Sequence, residues 1–288
     1  MVKLLGRSAV ITGASQGLGK AITAAYVREG AHVLLAARGE ALLTATAREL
    51  AGRRPSPQQR VEAVVADVSR PGDVQRLLAA AARISPATDI VVNNAGVYGP
   101  IGRLQDVDWT AWVDAVMINL AGTVAVCRAF LPILLQRGYG KIINLSGGGA
   151  SAPLPRFSAY AASKVAVVRF TETLAQELRG TRIDVNAIAP GPLNTRLLDQ
   201  VLAAGPERAG EEFHTRAVQQ KAEGGASLER AAELAVFLAS SASDGVTGRL
   251  ISAVWDDWAA LAARREALAN TDVYTLRRIV PADRGLDW

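Results

Sequence analysis

Thr12-Gly13-Ala14-Ser15-Gln16-Gly17-Leu18-Gly19 decides how this chain reads. It follows a short apolar run, Ser8–Thr12, and opens a segment in which Leu18, Ile22, Ala25 and Tyr26 share a helical face until Gly30 stops it. Glycines spaced Gly-x-x-x-Gly-x-Gly permit a tight turn. They also let backbone N–H groups approach a pyrophosphate at the helix N-terminus, where the dipole favours negative charge. A lone glycine pattern suits any strand–turn–helix; its place after the first strand of a βαβ unit gives it weight.

Outward from that turn, strands and helices alternate. His32–Ala37, Val61–Ala66, Asp89–Val92, Lys141–Leu145, Ile183–Ile188 and Arg249–Ala253 read as strands. Glu40–Ala51, Pro71–Ile84, Ala159–Arg179 and Leu228–Ala239 read as helices, as does a long Trp109–Gln136 adjusted near Pro132. Runs of Val, Ile and Leu without polar alternation predict strands buried on both faces of a parallel sheet. The expected fold is α/β: a doubly wound parallel sheet of Rossmann type. Residues 1–255 make one domain, in which about 192–226 stand outside the alternation as an insertion, and 256–288 are a C-terminal extension.

Half of the 288 residues are hydrophobic, enough for a large core. The single cysteine, Cys127, excludes a disulfide framework and a thiolate metal cluster, and the two histidines, His32 and His214, stand far apart, so no metal is expected. No signal peptide is apparent and no apolar run looks long enough for a bilayer, so a cytoplasmic protein without a membrane partner is expected. The net charge of +5 invites a nucleic-acid reading. Residues 1–60 hold nine Lys and Arg against three Glu, a diffuse excess that accounts for the whole imbalance and makes no basic stripe. Nucleic acid is therefore not an expected partner.

Further along lie Asn93-Asn94-Ala95-Gly96, Asn119, Tyr160-Ala161-Ala162-Ser163-Lys164 and Pro190-Gly191-Pro192-Leu193-Asn194-Thr195. With the first turn, these resemble, in order, the TGxxxGxG, NNAG, catalytic asparagine, YxxxK and PGxxxT features of the classical short-chain dehydrogenase/reductase family. The resemblance covers residues 8 to about 250 and leaves the tail uncovered. It implies a small carbonyl or alcohol substrate, a nicotinamide cofactor, and a homodimer or homotetramer. It places Gly13, Ser15, Gln16, Gly17, Leu18, Gly19, Asn94, Ala95, Gly96, Pro190, Gly191, Leu193 and Thr195 along the cofactor. Asp67 and Val68 are similar to the family's adenine-contacting pair. Lys164 would hold ribose hydroxyls, and Asn119 would anchor a water that carries a proton onward.

The chemistry also follows from residue types. Lys164, four residues after Tyr160, lies one helical turn away on the same face. A cation there favours phenolate; lowering a tyrosine by about three units takes roughly 4 kcal/mol. Tyr160 then serves as general acid for carbonyl reduction and general base for alcohol oxidation.

One departure stands out. The family's catalytic serine precedes the tyrosine by thirteen residues, and that position here is Gly147. Ser146 is the candidate surviving polar group; Ser151 or Ser158 could substitute, or the glycines could make room for a substrate group or backbone N–H. At the end of the second strand, Leu35-Ala36-Ala37-Arg38 carries an arginine where a carboxylate would bind the ribose of NAD. Arg38 suits the 2′-phosphate of NADP, with NAD as the other choice; Ser15 could add a hydrogen bond, while Gln16 stands where many NADP-preferring relatives have Lys or Arg.

The resemblance implies that about 192–226 are a substrate lid; they mix Leu197, Leu198, Val201, Leu202 and Phe213 with Arg196, Arg208, Arg216 and Lys221, which suits a large substrate with an apolar body and an anionic group and equally a lid packed on its own protein. Trp255, Trp258 and Trp288 in the tail are read as packing or subunit contacts before substrate contacts. The expected activity is NADP-preferring carbonyl–alcohol oxidoreduction. The rival is a protein of this fold that uses bound cofactor without net turnover (an epimerase or dehydratase) or senses it.

Overall fold

The computed structural model describes residues 2–85 and 87–288. Its strands are β1 (Ser8–Thr12), β2 (His32–Ala37), β3 (Val61–Val65), β4 (Ile90–Asn93), β5 (Gly140–Leu145), β6 (Ile183–Ala189) and β7 (Leu250–Ser252). They pair in parallel in the order β3-β2-β1-β4-β5-β6-β7, the doubly wound arrangement expected. Strand order reverses between β1 and β4, so a crevice opens beyond their C-terminal ends.

The helices are α1 (Gly17–Arg28), α2 (Glu40–Ala51), α3 (Pro71–Ile84), α4 (Trp109–Val116), α5 (Gly122–Arg137), α6 (Ser158–Glu177), α7 (Arg196–Ala209), α8 (Glu211–Glu223), α9 (Leu228–Ala239) and α10 (Arg265–Ala269). One face of the sheet packs against Ile22 and Tyr26 of α1, Leu43 and Leu50 of α2 and Leu234 and Leu238 of α9. The other packs against Leu77 of α3, Phe130 and Leu134 of α5 and Leu174 of α6. Local chemistry sets the helix ends. Asp108 accepts the Ala111 N–H at 2.7 Å to start α4, Ser227 accepts the Arg230 N–H at 3.2 Å to start α9, and Pro71 opens α3. Gly138, at φ +67°, closes α5.

Strand and helix ends fall within two residues of expectation, but several readings need correction. β3 is not buried on both faces: Glu62, Ala63 and Val65 are exposed because it is an edge strand. The long helix is not adjusted at Pro132, through which α5 runs unbroken; instead a π-helical turn, Met117–Ala121, separates α4 from α5. The run Trp109–Arg137, which contains an 18-residue stretch of mean hydropathy 1.8, is long and apolar enough to cross a bilayer by length and composition, contrary to the expectation that no such run exists. Here it packs Val126, Cys127, Phe130 and Leu134 into the core and leaves Trp109 and Met117 exposed.

The lid holds two helices where the sequence assigned none. α7 bends at Gly205 (φ +72°) and meets α8 at Gly210. The tail folds back over α6 and β7. The buried Arg249 guanidinium donates to the carbonyls of Leu268, Thr271 and Val273, and the Leu250 N–H donates to Tyr274 O at 2.8 Å. Leu276 N–H donates to Glu172 Oε1 at 2.6 Å.

Candidate active site

The ends of β1, β2, β4, β5 and β6 surround a cavity of about 1110 Å³, large for a small-molecule site and roomy enough for a cofactor with a substrate. The glycine turn forms its floor. Gly13 and Gly17 have φ of +62° and +54°, and a Cβ on Gly19 would lie 2.2 Å from Gly13 O and 2.4 Å from Asn94 Nδ2. Only glycine allows that approach. The Asn94 amide donates to the carbonyls of Thr12 and Gly13, both at 3.0 Å, while Thr12 Oγ1 accepts from the N–H groups of Asn94 and Ala95, both at 3.1 Å. The segment after β4 is thereby locked to the turn after β1.

α1 begins with no side-chain cap and no acidic residue in its first turn, so its leading N–H groups remain available to an anion. That cradle fits a dinucleotide pyrophosphate. The structure brings the other expected cofactor positions to the same cavity: Arg38 after β2, Asp67 and Val68 after β3, Ala95 and Gly96 after β4, and Pro190, Gly191, Leu193 and Thr195 after β6. Arg38 is exposed and makes no ion pair among the described residues.

Tyr160 and Lys164 project from α6 into this space and are both buried. Lys164 Nζ donates to Leu145 O at 2.7 Å and lies 5.6 Å from the Tyr160 ring centroid. Burial pulls the Lys164 ammonium down to about 8. Burial also pushes the Tyr160 phenol above its ordinary value, and neighbouring Tyr98 adds to that. In this geometry burial acts on the Tyr160 phenol in the opposite direction to the acidification expected from Lys164.

Asn119 lies one layer behind the cavity, fully buried in the π-helical turn. Its Oδ1 accepts the Val97 N–H at 2.8 Å, and its Nδ2 donates to Val97 O at 2.8 Å and Ser163 Oγ at 2.9 Å. Gly96 separates it from the cavity: a Cβ there would lie 3.2 Å from Asn119 Oδ1 and 3.4 Å from Lys164 Nζ.

Around position 147 the geometry is tight. A Cβ on Gly147 would lie 2.1 Å from the Tyr160 hydroxyl oxygen, so the phenol fills the space of a side chain there. Ser146 sits at the wall, but its Oγ is sealed from solvent and lacks a hydrogen-bond partner among the described residues. Ser151 is exposed on the rim, and Ser158 accepts the Trp112 indole N–H at 3.0 Å.

The lid closes the substrate side. Leu198, Val201 and Phe213 pack with Phe157 and Tyr160, the Phe213 and Phe157 rings 4.8 Å apart. Trp258 packs on Phe237 at 5.7 Å as expected of a tail tryptophan, whereas Trp255 stands on the cavity rim, 73% exposed. Tyr98, whose ring meets Tyr160 edge to face at 4.7 Å, is not among the residues expected from the sequence. Its place two residues beyond Asn93–Gly96, past the C-terminal end of a central strand, was the available signal.

The family profile described as short chain dehydrogenase matches residues 7–204. A short-chain type dehydrogenase/reductase of Picea abies is 34% identical, over 85% of this chain and 90% of the relative. The 3-oxoacyl-acyl-carrier-protein reductase of Thermotoga maritima is 31% identical, over 87% and 97%. Among solved structures, levodione reductase superposes with a TM-score of 0.79 at 26% identity, over 91% of this chain and 99% of that one. An actinorhodin polyketide ketoreductase variant with NADPH gives 0.78 at 28% identity, over 88% and 97%.

Proposed function

We propose that this chain, which belongs to the short-chain dehydrogenase/reductase family, interconverts a small carbonyl compound and its alcohol with NADP as the preferred cofactor. The observation that carries the reading is convergence: the glycine turn, Lys164 and Tyr160 face one cavity at the strand-order reversal. Bound NADPH would supply the hydride.

The chain's own residues do the rest. The α1 N-terminus and the glycine turn hold the pyrophosphate. Arg38, without an ion pair among the described residues and with no carboxylate at the end of β2, holds the 2′-phosphate. Lys164 holds ribose hydroxyls. Tyr160 gives its hydroxyl proton to the substrate oxygen as that oxygen gains charge. A phenol raised by burial stays protonated at ordinary pH and is loaded as the acid. Leu198, Val201 and Phe213 keep water from the reacting atoms. A homodimer or homotetramer is supported by the exposed apolar side of the α4–α5 run, where Trp109 is 68% exposed.

Replacing Tyr160 with Phe tests the reading. NADPH oxidation against a panel of ketones and aldehydes is expected to fall at least a hundredfold, while NADPH still binds; undiminished turnover would exclude Tyr160 as the acid. The glycine at 147 keeps the rival without net redox in play, and product formed with no steady change in nicotinamide absorbance would favour it.

A further inference from the structure

The segment Val97-Tyr98-Gly99 is pinned at both ends. Val97 is clamped by Asn119 through its N–H and carbonyl, each at 2.8 Å. Gly99, at φ +72°, passes so close to α4 that a Cβ on it would lie 2.5 Å from Ala115 Cβ. Tyr98 between them is held against Tyr160 at 4.7 Å and against Phe157 at 5.2 Å. It lines the cavity, and its hydroxyl neither bonds to a described residue nor belongs to the sealed, unpaired polar atoms.

When hydride adds to a carbonyl carbon, the C=O π bond breaks and its electron pair leaves the oxygen as an alkoxide. A second fixed donor stabilises that charge beyond the proton-donating acid. Position 147 offers no side chain, Ser146 Oγ is sealed, and Ser158, which accepts the Trp112 indole N–H, does not line the cavity. We infer that the Tyr98 hydroxyl is this second donor: it hydrogen-bonds the substrate oxygen beside Tyr160 and makes Tyr98 a catalytic residue. The inference rests on the oxidoreductase reading. Burial holds the Tyr98 phenol above its ordinary value, so the donor keeps its hydrogen across the working pH range.

Tyr98→Phe removes only the hydroxyl and keeps both ring contacts. With NADPH and either acetophenone or cyclohexanone, whichever the wild type turns over faster, kcat is expected to fall about a hundredfold while KM for NADPH stays within twofold. A second readout avoids turnover. In a Tyr160→Phe background saturated with NADPH, adding Tyr98→Phe should weaken ketone binding by about tenfold with an unchanged melting temperature. A Tyr98→Phe enzyme within twofold of wild type overturns the inference, as does Ser151→Ala losing activity while Tyr98→Phe keeps it. A wild type that oxidises no NADPH with any carbonyl overturns the oxidoreductase reading as well, so the two failures are distinguishable.

Discussion

A methyl group at position 147 would sit 2.1 Å from the Tyr160 oxygen, far inside van der Waals contact. Gly147→Ala should therefore displace the phenol and cut kcat more than tenfold while leaving NADPH affinity nearly intact, which steady-state kinetics and a cofactor titration would show. Lys164 gives two pH effects of opposite sign. With its folded value near 8, reduction measured as kcat/KM should decline as pH rises through 8, because the cation is lost. Stability should rise over the same range: between about 8 and the ordinary 10.5 the unfolded chain binds the proton and the folded one does not. The relief is on the order of 3 kcal/mol. Lys164→Met should flatten the pH dependence of chemical denaturation between pH 8 and 10. At Arg38, replacement with Glu should raise KM for NADPH by tenfold or more and leave NADH unaffected. Tyr160, Lys164 and the turn glycines were legible in the chain because their geometry is local, a helical turn or a backbone angle. The contact of Gly147 with Tyr160 and the edge of Tyr98 were not, since both depend on how the loops after β4 and β5 meet α6.

Asn119 shows what an element contributes. In the π-helical turn its amide replaces a secondary-structure partner for Val97, binding both of that residue's backbone groups. Asn119→Ala leaves these partly buried groups without their partner, at about 1–3 kcal/mol each. The melting temperature should fall several degrees, and activity should fall with it, because Val97 positions Tyr98. A variant that loses activity with no change in melting would assign Asn119 a direct chemical part instead. Periodicity marks Trp109–Gln136 as helical, but a single extra residue in one turn leaves the apolar pattern nearly unchanged, so the π-helical turn was hidden. The lid helices were hidden for another reason: Gly205, Pro206 and Gly210 interrupt them, and in a sequence those residues signal loop.

Across the whole molecule, the parallel sheet could be read from runs of Val, Ile and Leu, since burial on both faces of its central strands leaves a compositional mark that the edge strand β3 carries only in part. The tail left no such mark. Its attachment is mostly side chain to backbone, centred on Arg249, and a carbonyl acceptor has no signature in residue type. Arg249→Met should strand three carbonyls that a charged donor now satisfies. Trypsin should then cut after Arg264, Arg265 or Arg277 well before it cuts the sheet domain, while the wild-type tail resists; equal digestion would mean that Arg249 does not hold it. The Tyr274 carbonyl that meets Leu250 also has a bearing on life in a crowded solution. An outermost strand is where stray polypeptides add themselves and seed precipitates. At β7 this amide already has a partner, and at the opposite rim β3 shows solvent a glutamate, Glu62. Newly made copies are thus guarded against lateral sticking by two different means, a wrapped segment at one border and a charge at the other.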